Sequence, residues 1–413
     1  MTEIRGRTGP AFSPTRLLHL LLAALLGLAL PAAAGAATDG NDAPVRIGVL
    51  TMTPGEEYWS RFGHNAIVVE DPARGLRLSY NYGYFDFDQP GFMRRFLRGQ
   101  MQYQLVVLPL EQDLAIYAGE GRGVSLQWLD LDPEQARSIA RYLEWNALPE
   151  NASYRYDYFR SNCSTRVRDV LDQALEGDLA RQMSSRSRGS TYRSESLRLG
   201  ADVWWLWLGM HVGLSGAADR PLSLWEEGFV PGRLADALAR ATTPEGRPLV
   251  AQTVALVPDR LGLERGVAPK RRTGMALAGL LTAMLLLFLL RTRASSWQRL
   301  SGAVLAGGFW LLCGLGGLVL AGLWAFTEHL AAHGNENLLL LNPLCLGLLP
   351  AALVLLRRQA VPARLRALAG FVLAAAAFAL FLRFLPFRPQ SNGDFVALLM
   401  PIHAALAWRL MRR

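Results

Sequence analysis

Beyond Arg272 the sequence becomes a succession of apolar segments, Gly274–Leu290, Gly302–Phe326, Leu338–Leu356 and Leu368–Phe384, with a fifth, Phe395–Leu410, close to the C-terminus. Each is near the ~20 residues that cross a ~30 Å hydrocarbon layer as a helix. A helix satisfies its own backbone there, which an open strand or loop cannot do. Residues 273–413 therefore read as an all-α transmembrane bundle of four or five helices. The count depends on the last segment, because Pro386 and Pro389 ahead of it read either as a loop or as a break.

The rest of the chain fits this frame. Arg5, Arg7 and Arg16 precede the apolar run Leu17 to Leu30, and Pro31 and the small residues Ala34-Gly35-Ala36-Ala37 come after it. That is the three-part pattern of a secretory signal, so residues 1–37 read as a signal peptide cleaved after Ala36 or Ala37, with an uncleaved anchor as the alternative for a run short for a span, and the domain beginning at residue 38 as exported. With five spans behind an exported domain, Arg291, Arg293 and Arg299, then Arg357, Arg358, Arg364 and Arg366, then Arg409, Arg412 and Arg413 all fall on the cytoplasmic side, as the positive-inside rule asks. The Lys270-Arg271-Arg272 cluster falls on the opposite side, where it can hold the domain against anionic headgroups. The net charge of +9 thus serves topology, and no basic stripe marks a nucleic-acid binder.

Residues 38–272 read as one α+β domain. Val45–Met52, Asn65–Glu70, Leu76–Phe87 and Gln102–Leu110 are rich in alternating β-branched and aromatic residues and predict strands. Gly91–Arg98, Pro133–Leu148 and Ser164–Leu175 carry helical spacing, the last with Val167, Val170, Leu171, Ala174 and Leu175 on one face.

Of three cysteines, Cys313 and Cys345 lie in apolar segments and only Cys163 lies in the exported domain, so no disulfide framework exists. Cys163 stands just ahead of a helical pattern, where Ser161 or Asn162 can cap and unpaired backbone N–H groups favour a thiolate and can hold an oxyanion. His64 follows Gly63 at the opening of a strand, a position that presents an imidazole at a sheet end. Alone, each has a plain structural reading, a small buried residue and a strand-end histidine. Together, with His211 the one other His or Cys in the domain, they form a candidate nucleophile and base. No ligand spacing for a metal, no phosphate loop and no nucleophile-elbow serine accompanies them, so no metal or other cofactor is expected.

The blocks Phe62-Gly63-His64, Tyr80 to Phe87, Asn162-Cys163-Ser164-Thr165-Arg166, Asp219 with Phe229-Val230-Pro231, and in the membrane half Glu328-His329 and Asn337 to Pro343, make nearly the whole chain resemble the bacterial Lnb-type lipoprotein N-acyltransferase family. The domain is also similar to circularly permuted relatives of the NlpC/P60 and lecithin:retinol acyltransferase folds, in which the histidine precedes the cysteine, and that likeness implies a permuted papain-like arrangement. The resemblance implies that Cys163 attacks a phospholipid ester, that a thioester forms, and that the amine of a diacylated lipoprotein takes the acyl chain with His64 as base. It also implies a multi-pass protein of the bacterial inner membrane with its first domain in the periplasm. Asn81, Asp86 and Asn162 are the supporting candidates, the first two to orient His64. A peptidoglycan amidase or endopeptidase of NlpC/P60 type and a non-catalytic membrane scaffold are the alternative readings.

Two further stretches bear on a membrane substrate. Glu328, His329, Asn337 and Asn342 fall in or beside the outward loop between the second and third spans, on the side of the domain, where they are either functional or simply hydrated. Val203 to Met210, with Trp204, Trp205 and Trp207, either lies in the membrane interface and admits acyl chains or packs in the core.

Overall fold

The computed structural model describes residues 44–386 and 390–412. The expected signal peptide, residues 1–37, lies outside them, as does Pro389. The exported domain is built on a seven-stranded, wholly antiparallel sheet of β1 (Arg46–Met52), β2 (His64–Asp71), β3 (Leu76–Tyr84), β4 (Gln102–Pro109), β5 (Val124–Leu129), β6 (Ser153–Arg155) and β7 (Val250–Val257), in the order β6-β4-β3-β2-β1-β5-β7. The four strands expected from alternation are the core of this sheet. The two outer strands and β5 are additions.

In chain order the helices of the domain are α1 (Phe92–Arg98), α2 (Leu110–Gly119), α3 (Pro133–Asn146), α4 (Cys163–Ala174), α5 (Asp178–Ser184), α6 (Tyr192–Leu199), α7 (Trp204–Gly213), α8 (Leu224–Glu227) and α9 (Pro231–Leu238). Local sequence starts the two long ones: Asp132 and Gln135 form a capping box with Pro133 in the first turn of α3, and Asn162 and Thr165 form another on α4. Alternation along the strands divides the core into two layers. Ile47, Val49, Ile67, Val69, Tyr80 and Tyr82 pack on one face beneath α3 and α4. Leu50, Met52, Ala66, Val68, Leu126 and Trp128 pack on the other, against Leu110 and Tyr117 of α2.

The C-terminal region holds α10 (Arg272–Leu289), α11 (Ser296–Phe326), α12 (Leu349–Arg357), α13 (Ala363–Leu382) and α14 (Gly393–Met411), and five segments are long and apolar enough to cross a membrane. Large apolar side chains on their outer faces, such as Leu281, Leu312 and Phe371, are exposed, as lipid contact requires. The third span departs from the helix expected over Leu338–Leu356. It runs through short 3₁₀ turns at Glu336–Leu339 and Pro343–Leu348 before α12 begins. Pro343 breaks the ladder, Asn342 caps the second turn by accepting from the Leu344 N–H (3.0 Å), and Gly317 of α11 leaves the space in which the Leu341 carbonyl sits.

The two regions are joined by buried polar groups. Arg193 of α6 donates to both carboxylate oxygens of Asp219 (2.8 and 3.0 Å) and to the carbonyls of His211 and Leu214 (each 2.7 Å). From the membrane side, the Ser391 N–H donates to Asp219 (3.0 Å), Asn335 donates to the carbonyls of Val212 and Gly213 (2.8 and 2.9 Å), and Asp394 lies 3.2 Å from Nε2 of His211. Arg271 caps Ala201 and stacks over Trp207, so this member of the basic cluster is engaged with the domain itself. Because Arg193 and Asp219 are both almost fully buried, Asp219→Ala strands a charge and should cost ~3–5 kcal/mol. Chemical unfolding of the purified protein should show this loss, and Arg193→Ala in the same background should add little.

Candidate active site

His64 owes its place to Gly63. That residue has φ +79°, and a Cβ on it would stand 2.8 Å from the Met52 carbonyl, so only glycine brings the chain into β2 at this point. The next residue, Asn65, is fully buried and points to the other face of the sheet. There its Nδ2 donates to the Leu50 carbonyl (3.0 Å) and Thr51 Oγ1 (2.9 Å), and its Oδ1 lies 2.8 Å from Ser164 Oγ. Ser164 Oγ is also 2.6 Å from the Gly228 carbonyl. The residue after the candidate base and the residue after the candidate nucleophile thus clamp strand to helix.

Cys163 is the first residue of α4. Asn162 Oδ1 accepts from the N–H groups of Ser164 (3.0 Å) and Thr165 (2.9 Å), while its Nδ2 donates to the carbonyls of Tyr158 (3.0 Å) and Phe229 (2.8 Å). Asn162 is therefore the cap that fixes the helix start. Two of the N–H groups expected to face an oxyanion are engaged by that cap. Across from the thiol stands Gly83, with φ +102°, whose missing side chain would lie 3.5 Å from Cys163 Cβ.

The thiol and the imidazole are close enough that each shifts the titration of the other. Burial pushes the Cys163 thiol up, but the adjacent His64 ring, its hydrogen bond and the backbone N–H groups of Asn65 and Ser164 outweigh burial and hold it below its ordinary value. Burial pushes His64 down, and the charge and hydrogen bond of Cys163 more than reverse this, with Arg122 opposing and Asn81 assisting, so the ring is raised. Both shifts favour a thiolate–imidazolium pair.

Behind the ring, His64 Nε2 lies 3.0 Å from Asn81 Oδ1, and Asn81 Nδ2 donates to Asp113 Oδ2 (3.0 Å) and Ser79 Oγ (3.2 Å). Those two donations orient the amide with its oxygen toward the ring. Nε2 then carries the proton, and Nδ1 is the nitrogen left for the thiol. Tyr117 stacks on the ring with centroids 6.3 Å apart. Of the two residues expected on β3 to orient His64, Asn81 is in place. Asp86 is not: it is exposed beyond the strand end and accepts from the Asp88 N–H in a turn (2.9 Å). Asp113 carries no signal in the sequence, since nothing in Leu110-Glu111-Gln112-Asp113-Leu114 separates it from its acidic neighbour.

Tyr154 and Tyr156 wall the other side. Burial first, and then the charge of Cys163, push both phenols well up, so they remain neutral donors. The Tyr154 hydroxyl is buried and finds no hydrogen-bond partner among the described residues. A carbonyl oxygen gaining charge beside Cys163 would supply that partner.

The loop candidates divide. The Glu328 carboxylate accepts from Gln100 and Arg155, which hold it below the usual carboxylate range, and its N–H donates to the Arg98 carbonyl (2.8 Å). His329 lies 3.1 Å from the Phe96 carbonyl and stacks on Tyr158. Both press the membrane region onto the tyrosine wall. Asn337 donates to the Val212 carbonyl (2.9 Å) and Asn342 caps a turn, so neither is brought to the thiol.

These features describe a membrane-embedded protein whose exported α+β domain carries a Cys–His pair. The family description "Lnb N-terminal periplasmic domain" matches residues 38–194, and "Lnb transmembrane domain" matches residues 275–412. The chain belongs to the Lnb family, and the first domain is periplasmic. No curated protein and no solved structure matches it.

Alkylation of Cys163 by iodoacetamide, followed by peptide mass, should stay rapid below the ~8.5 at which an ordinary thiol is half ionised. In His64→Ala the profile should move up, because burial is then less opposed. An unchanged profile would mean that the ring does not hold the thiolate.

Proposed function

We propose that this protein is a cysteine acyltransferase of the bacterial inner membrane that moves an acyl chain from a phospholipid, through a Cys163 thioester, to the N-terminal amine of diacylated lipoproteins. The observation that carries the reading is the His64–Asn81–Asp113 series beside the Cys163 thiol, in a domain whose wall is tied to a membrane-spanning region.

The chemistry balances without a cofactor. The thiolate attacks the ester carbonyl carbon, and the charge on the carbonyl oxygen is met by the Tyr154 hydroxyl. As the C–O bond breaks, the His64 imidazolium gives its proton to the departing lysophospholipid oxygen, leaving a thioester and a neutral ring. The amine of the acceptor then attacks the thioester, His64 takes its proton, and the C–S bond breaks to restore the thiolate and imidazolium. Asn81 keeps the ring in the tautomer that both steps use, and Asp113 keeps Asn81 in its orientation. Water in place of the amine would give a lipase, so the acceptor must reach the thioester first.

Mass spectrometry of a lipoprotein's N-terminal peptide, from cells lacking their usual N-acyltransferase, tests this. Wild type should add one acyl chain to the N-terminal cysteine, and His64→Ala and Cys163→Ala should add none. If wild type leaves that mass unchanged while cell-wall peptides are cut, the protein is an amidase. In a purified assay Tyr154→Phe should lower kcat by about 10²-fold with KM little altered, the pattern of a donor used in the transition state.

A further inference from the structure

Below the periplasmic domain lies a groove of about 370 Å³ between α7 and the outer half of α11, lined by Trp205, Leu208, Gly209 and Gly213 on one wall and by Val319 and Leu323 on the other. It is within the range of ligand sites, about 300–1,000 Å³, yet its lining has no charged side chain. Its depth limits what can occupy it. At ~1.5 Å per residue, Leu323 to Gly316 lie about 5 to 15 Å below the end of α11 at Phe326. That interval is the outer leaflet's share of a ~30 Å hydrocarbon core. Trp204 and Trp205, 69% and 48% exposed, stand at its mouth, as indoles do at the headgroup boundary.

A series of ring contacts links the groove to the thiol site. Trp205 meets Tyr58 (ring centroids 5.7 Å apart), Tyr58 meets Trp59 (4.7 Å), Trp59 meets Phe85 (6.5 Å), Phe85 meets Tyr103 (5.0 Å) and Tyr103 meets Tyr156 (4.2 Å), which flanks Cys163. Tyr58 and Trp59 are substantially exposed, Phe85 and Tyr156 are half-buried and Tyr103 is buried, so the line starts on the surface and ends in an aromatic cluster beside the thiol. We propose that the groove seats one acyl chain of a bilayer phospholipid, entering sideways from the outer leaflet, and that the aromatic line carries the ester toward Cys163. The donor is favoured over an acylated protein because the groove opens beside the lipid-facing surface of α11 and its lining is almost wholly apolar, with little to offer a peptide. The proposal rests on the reading of Cys163 as an acyl-accepting thiol.

Gly209 provides the test, since a Cβ there meets nothing within 4 Å and a leucine would project into open space without strain. Full-length protein carrying Cys163→Ala is placed in vesicles containing phosphatidylethanolamine with a diazirine on one acyl chain, irradiated, and mapped by peptide mass. Adducts should appear on the segments 204–213 and 316–323 and fall about tenfold in Gly209→Leu. Adducts on the exposed Phe371 and Phe378 face of α13, which sample bulk lipid, should not change. Should Gly209→Leu fail to fold, Val319→Trp fills the groove from the opposite wall. Absence of groove adducts, equal labelling in the filled variants, or labelling by a diazirine diacyl-lipopeptide alone would overturn the proposal. Because Cys163→Ala cannot transfer acyl groups, groove labelling beside a wild type that makes no N-acyl product would sink the catalytic reading and leave the groove. Acyl transfer without groove labelling would do the reverse.

Discussion

The hydrogen bond between Ser164 and Asn65 is the contact on which the site depends. Two side chains from opposite parts of the domain, a strand end and a helix start, hold a thiol and an imidazole in register because their immediate neighbours are buried and locked together. An ion pair in a half-buried place is costly unless its geometry is kept, since each charge has given up water. Here the neighbours keep it, and the backbone at Asn65 and Ser164 favours the charged sulfur even though the Ser164 N–H also donates to the Asn162 cap. The same two residues thus position the pair and solvate it.

A second constraint runs outward from the site to the bilayer. Glu328 and His329 grip α1 and β6 at the tyrosine wall, while Asn335, Ser391 and Asp394 grip α7 and Asp219 on the other side. Between the two grips lies the exposed aromatic surface. In water such a surface would be a liability; beside a membrane it is a place where hydrocarbon and protein meet.

Legibility in the sequence tracks pattern strength. Strands β1 to β4 are legible as runs rich in β-branched, aliphatic and aromatic residues, nearly continuous in β1 and β2 because both sheet faces are covered, and the periodic faces of α3 and α4 survive intact. Gly63-His64 and Asn162-Cys163 can be read locally, since a positive φ and an N-cap are local events. The rest depends on distance in sequence. Asp113 matters only because Asn81 lies opposite it, and Tyr154 only because Gly83 leaves it room beside Cys163. β6 is three residues long and exists by pairing with β4, and β7 is an alanine-containing strand at the sheet edge whose partner comes more than a hundred residues earlier. The break in the third span is foreshadowed by Pro343 but concealed by hydropathy, which measures how apolar a segment is and not whether its backbone is helical.

The joint between the two regions has a practical meaning. Composition draws a sharp border near Arg272, and a worker wishing to crystallise the periplasmic part would cut there. Yet the carbonyls at the end of α7 take their donors from Asn335 and Asn337, and Asp219 takes one from Ser391. Excision at the border would remove those donors and bare one wall of the groove to water. The polypeptide has two solvents, yet from Ala43 onward its periplasmic and membrane parts form one compact unit.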